Sequence, residues 1–415
     1  YNTAVGYRAL EEFTTGGYTV AIGQEAGEKI TTADSNVLLG YRAGRQITTG
    51  AANIAIGFEA LRDANTGANI AIGGRAGVYA TTGTDNVYIG DGAGYSPGTA
   101  SDQVIIGHDA GYYARNNDVV IIGESAGYYA TGSNNVFVGK AAGKGGTTSA
   151  PYSSGTDNTA VGYEALANFT TATANVAVGY GALTNLKDAI YSVGIGVHAG
   201  DHATGSYNTF VGGQAGFGGQ TSAPFSSGTS NVGIGYYALR NFTTGYSNTV
   251  AGVNAGDAIT SGHENAIFGQ GAGGALTDGH DNVIIGASAG ATTTSVGSAV
   301  IIGDFAGANG NITDAADGVV LIGAGAGRYL TTGAGNTAIG YSAMLRHTTG
   351  ARNIAIGYGA MDDTDAGSTS LGSNDNIFMG YDAGGGTWAN AESNGNVGIG
   401  SYALDAAMDG ALYNT

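Results

Sequence analysis

The sequence predicts an all-β protein, a parallel β-solenoid built by repeating one short coil. Three observations carry that prediction. A block of two apolar residues, Gly, two variable residues and Ala recurs 23 times, in 17 of them opened by Asn two places before the apolar pair, as in NIAIGFEA at 53–60. Of the 22 intervals between its glycines, thirteen are 17 residues and four are 16, while three of 23 and two of 20 are the same coil with an insertion. A tight period of this length marks a solenoid, in which each repeat touches only its neighbours. The apolar run is short and closes on glycine, which suits a strand and argues against a helix. The prediction is therefore about 23 coils of 16–17 residues in one continuous array over 1–415.

With the glycine as phase zero, each position in the coil has its own demand. Position −1 is always apolar and −3 is Val, Ile, Thr or Ala, so alternation sets both on one face, expected to line the coil's own core. Position −2 points the other way and is also never polar, with eight Ala and five Ile. A strand apolar on both faces is buried on both faces. Other chains are therefore expected to cover −2, and Phe137, Phe210 and Phe378 at that phase are the candidate oligomer contacts. The invariant Gly requires either positive φ or a close approach that a Cβ would block. Ala at +3 implies room for one methyl, and +4 is Gly in 15 copies, Leu in six and Met in two. Apolar residues at +7, such as Ile30, Ile47, Phe169 and Phe242, predict a second inward strand before a Thr-Thr-Gly turn. Asn stands at −4 in 17 copies, and identical phases stacked in a parallel coil predict an amide ladder.

Composition narrows the function. Net charge is −18 with only 14 Lys and Arg, so nucleic acid is not expected as a partner. There is no Cys, hence no disulfide or thiolate metal site, and no apolar run long enough for a membrane helix. No cofactor motif or nucleophile elbow stands out, and no paired carboxylates, so an enzyme is not expected. Asp363-Thr364-Asp365-Ala366-Gly367 has part of a calcium-loop pattern without its distal Glu, and His198 with His202 is a lone pair. The insertions offer more. GGTTSAPYSSGTDN at 145–158 and GGQTSAPFSSGTSN at 218–231 are near copies, and 384–396 holds the sole Trp. Insertions in repeat proteins map to loops, where binding resides. Pro151, Tyr152, Pro224, Phe225 and Trp388 are therefore the candidate surface contacts for a glycan or protein receptor. The alternative is that these loops are tolerated bulges.

The blocks NTAVGYRAL at 2–10, NIAIGFEAL at 53–61, NTAVGYEAL at 158–166 and NTAIGYSAM at 336–344 resemble the head repeats of YadA-like trimeric autotransporter adhesins and related bacteriophage tail-fibre repeats. The resemblance covers the whole chain, though the family's head repeat is typically shorter than 16 to 17 residues. It implies a left-handed β-roll, three identical chains packed side by side about a fibre axis, and an extracellular place on a virion or bacterial surface. The implied function is a shaft or head segment that mediates attachment to a cell surface; a non-adhesive extracellular filament is the alternative. The chain opens YNTAVG and closes YNT, without distinct capping repeats, so it is expected to be an excerpt of a longer fibre.

Overall fold

The computed structural model describes residues 1–146, 149–150, 152–219, 225–364, 372–388, 391–408 and 410–415. Two compact units make up the chain, Tyr1–Thr204 and Gly205–Thr415. Each is a parallel β-solenoid. Among the described residues the first holds twelve strands, from Thr3–Val5 to Val193–Ile195, and the second eleven, from Thr209–Val211 to Val397–Ile399. One short 3-10 helix, Asp314–Ala316, interrupts the second.

Every strand is three or four residues long and pairs in parallel with the same phases of its neighbour, as in Ile54 with Ile70, Ala55 with Ala71 and Ile56 with Ile72. The longer intervals keep this register. Val136 pairs with Thr159 and Val300 with Val320, so extra residues are looped out and the strands do not slip. A one-residue slip would turn each inward side chain outward, which explains why the register survives insertions.

The facing of the strands is the reverse of the expectation. The middle residue, −2, is the one buried: Ala55, Tyr88, Phe137, Phe210 and Phe378 are all fully enclosed by their own chain. Positions −1 and −3 look outward, with Ile234 46% and Ile285 37% exposed. A strand of three residues in so thin a coil can send only one side chain inward, and that is the middle one. Phe137, Phe210 and Phe378 are therefore core residues and not oligomer contacts. Phe137 packs on Phe169 at 5.6 Å between ring centroids, and Phe210 on Phe242 at 5.5 Å.

The remainder of the core follows from what shares that interior. Position +4 is Leu or Met only where −2 is Ala or Gly, as with Leu61 and Ala55 or Leu239 and Gly233. Where −2 is large, +4 is Gly: a Cβ on Gly143 would overlap the Phe137 ring, and one on Gly216 the Phe210 ring. The +7 side chains of Ile30, Ile47, Phe169, Phe242, Ile259 and Leu276 complete the core, fully buried.

These +7 residues do not lie on a second strand. The segment after the glycine is a run of turns whose backbone alternates in hand, with positive φ at +2 and +4, for example 56° at Glu59 and 48° at Leu61. It still stacks coil on coil through bonds such as Gly27 N–H to the Ala43 carbonyl (3.0 Å) and Lys29 N–H to Arg45 (3.1 Å). Left-handed residues cannot continue a β-strand, which is why the inward pattern at +7 gives no strand there. The phase-zero glycine meets both demands at once. Gly57 has φ of 137°, and a Cβ there would overlap the carbonyl of Gly73 in the next coil.

The amide ladder is present. Asn248 N–H and its Nδ2 both donate to Asn231 Oδ1 at 3.1 Å, Nδ2 also donates to the Gly262 carbonyl at 2.8 Å, and Asn265 N–H donates to Asn248 Oδ1 at 3.2 Å. These amides are buried and mutually satisfied, as buried polar groups must be. Gln103 replaces Asn where the fully buried Tyr88 hydroxyl needs an acceptor, and takes it at 2.7 Å.

Candidate functional site

Outward side chains of the strands form an apolar column on each unit. In the first unit Val5, Ile22, Ile72, Ile89, Val161 and Ile195 are exposed at −1, and in the second Ile234, Phe268, Ile285, Met379 and Ile399. Beside the column runs position +1, where exposed rings stack from coil to coil. Tyr163 lies 5.3 Å from Tyr180, Tyr341 5.0 Å from Tyr358, and Tyr358 5.2 Å from Tyr381. A contiguous apolar surface on successive strands is more than a monomer usually exposes.

A second feature of the first unit lies off the strands. At +5, Tyr95, Tyr112 and Tyr128 stack with centroids 4.4 and 4.9 Å apart, the rings within 14° and 10° of parallel. At +6, Tyr113 and Tyr129 stack at 6.0 Å, and Tyr79 meets the edge of Tyr95 at 5.2 Å. The insertion of this unit adds to them: Tyr152 stacks on Tyr113 at 4.4 Å and lies 5.8 Å from Tyr129. The result is a ridge of seven half-buried or exposed phenols.

The ridge is flanked by two grooves. One, of about 530 Å³, is lined by Phe58, Arg75, Asp91, Tyr95, His108, Asp109, Tyr112 and Tyr128. In it His108 Nε2 lies 3.9 Å from Asp91 and Nδ1 3.7 Å from Asp109. The other, of about 490 Å³, is lined by Tyr79, Thr81, Ser96, Pro97, Thr99 and Arg115, with Arg115 donating to Ser96 Oγ at 3.3 Å. Burial, helped by Asp109 and neighbouring phenols, pushes the Tyr128 hydroxyl up to about 12. It is a neutral hydrogen-bonding group at ordinary pH.

The sequence-predicted contacts fare unequally. Tyr152 is half-buried in the ridge, and Phe225 is half-buried in the second unit. Pro151 and Pro224 lie outside the described residues. Trp388 is not a surface ring: it is fully buried, edge-on to Phe378 at 5.6 Å. A large apolar ring in a loop that folds back over the core gains more by covering Phe378 than by standing in water. Of the calcium-loop fragment, residues 365–367 lie outside the described residues. Among the described residues no three His, Asp or Glu side chains gather to hold a metal ion, and no helix is long and apolar enough to cross a membrane. The ridge was missed by sequence reasoning, although its signal is there: Tyr95, Tyr112 and Tyr128 recur at 17 and 16 residues.

No family model matches the chain. Nor does any curated protein.

Proposed function

We propose that the chain is a segment of a homotrimeric fibre that attaches to a cell surface, carried extracellularly on a virion or a bacterium. The observation that carries this reading is the outward column of Ile and Val on each unit, edged by stacked tyrosines and unpartnered within one chain. Such a face is stable in water when covered, and a strand buried on both faces reads as these strands do. Copies of the same chain are the natural cover, because their columns repeat at the same coil spacing. The number three, the fibre and its location rest on the resemblance to adhesin heads and tail fibres.

Sedimentation tests the association. The parent chain is expected to run as a trimer, and Ile195→Asp combined with Ile285→Asp to dissociate it, since carboxylates would be buried without partners. A folded, monomeric parent would overturn the reading. Attachment is tested separately, by retention of the labelled parent on intact bacterial cells.

A further inference from the structure

We propose that the grooves beside the tyrosine ridge of the first unit bind a neutral polysaccharide chain. The inference deepens the attachment reading by naming the ligand class, and it rests on that reading only for its biological setting.

Four observations lead to this ligand. The walls combine phenols with Asp91, Asp109, His108 and Arg75, so donors and acceptors stand side by side along one groove, as vicinal hydroxyls require. Arg75 is the one fixed cation of this wall against the carboxylates of Asp91 and Asp109, in a chain whose net charge is −18, which leaves nothing to grip a polyanion. The backbone beneath is already used between coils, with Ser96 N–H donating to Tyr112 at 2.9 Å and Tyr113 N–H to Tyr128 at 3.1 Å, so a peptide cannot add as a strand. Finally, the same phenol recurs on three successive coils, spaced at about 4.8 Å. A repeating wall of this pitch fits a ligand that itself repeats.

The stacked rings turn their faces to one another and offer edges and hydroxyls to the grooves. The rings are already stacked on one another with no ligand between them, which lowers the ordering cost of binding. Volumes of about 530 and 490 Å³ lie within the range of small-ligand sites, enough for a few sugar residues in each groove.

The experiment is electrophoresis of the whole chain in native gels cast with a soluble β-glucan, a galactomannan or dextran. The parent is expected to be retarded by at least one. Asp91→Ala with His108→Ala, both strongly exposed, and separately Tyr112→Ser are expected to weaken that retardation about tenfold. Thermal melting identifies any variant that has lost its fold; the exposed double variant then carries the result. Unretarded parent in all three gels, or retardation equal in the double variant, overturns the proposal. The attachment reading is judged apart from this. Gel retardation equal in the double variant, with cell retention of the parent, would sink the groove and leave attachment standing, whereas gel retardation lost in the variants without any cell retention of the parent would do the opposite.

Discussion

Asn248 occupies a position where one side chain serves three coils, because its oxygen and nitrogen bond the coil before, the coil after and a turn carbonyl. Replacement by the isosteric Asp removes the donor to Gly262 and sets a carboxylate against Asn231 Oδ1. We expect Asn248→Asp to destabilise more than Asn248→Ala, by about 3 kcal/mol or more at neutral pH, since it buries a charge without a partner. Chemical denaturation of the pair decides it, and equal losses would mean that the amides are passive filler. Asp362 shows the opposite sign of effect. Burial, with Asp382 and Asp363 nearby, pushes its carboxyl up to about 6. An ordinary Asp titrates near ~4, so between about 4 and 6 the folded state holds more protons than the unfolded one. Stability therefore falls as pH rises through that window and stays low above it. Asp362→Asn should raise the melting temperature at pH 7.5 and leave it unchanged below pH 4; a gain independent of pH would refute the electrostatic cause.

At the scale of one coil, the size rule between −2 and +4 makes a two-sided prediction. Phe137→Ala empties the space against Phe169 and should cost about 3–5 kcal/mol. Adding Gly143→Leu to that variant recreates the pairing seen at Ala55 with Leu61 and at Ala160 with Leu166. It should recover about half of the loss or more, less about 1 kcal/mol for a leucine in the left-handed region. Gly143→Leu alone should be the worst of the three, because its Cβ already overlaps the ring. Denaturation midpoints of the four proteins test the order. Additive effects would show that the two positions do not share a core.

For the molecule as a whole, what matters is how the outward columns are covered. If other copies cover them, association stabilises the folded chain by mass action and melting temperature rises with protein concentration. The parent is expected to show that dependence and Ile285→Asp to flatten it. A melting temperature constant over a hundredfold range of concentration would count against self-association. Phe137→Ala, by contrast, should lower melting at every concentration and leave the slope alone, because Phe137 faces its own core.

The period of the glycine block by itself determined the solenoid, the number of strands and the in-register stacking, since a fixed spacing forces identical phases above one another. Asn at −4 likewise determined the ladder. What only tertiary structure decided was direction. Alternation states that −2 opposes −1 and −3, but not which side faces inward, and both sides are apolar; the width of the coil settles it by admitting one side chain per strand. The pairing of Leu61 with Ala55, and of Gly143 with Phe137, was legible in the sequence and would have given the answer, because only residues sharing one interior need to compensate in size. The left-handed residues at +2, such as Glu59 and Arg75, left no such trace: their φ is imposed by the closing of the coil and not by their side chains. The stack of Tyr95, Tyr112 and Tyr128 was legible in their 17- and 16-residue recurrence, whereas Trp388 on Phe378 and Tyr152 on Tyr113 depended on which loops fold back, and those are contacts that spacing along the chain does not fix.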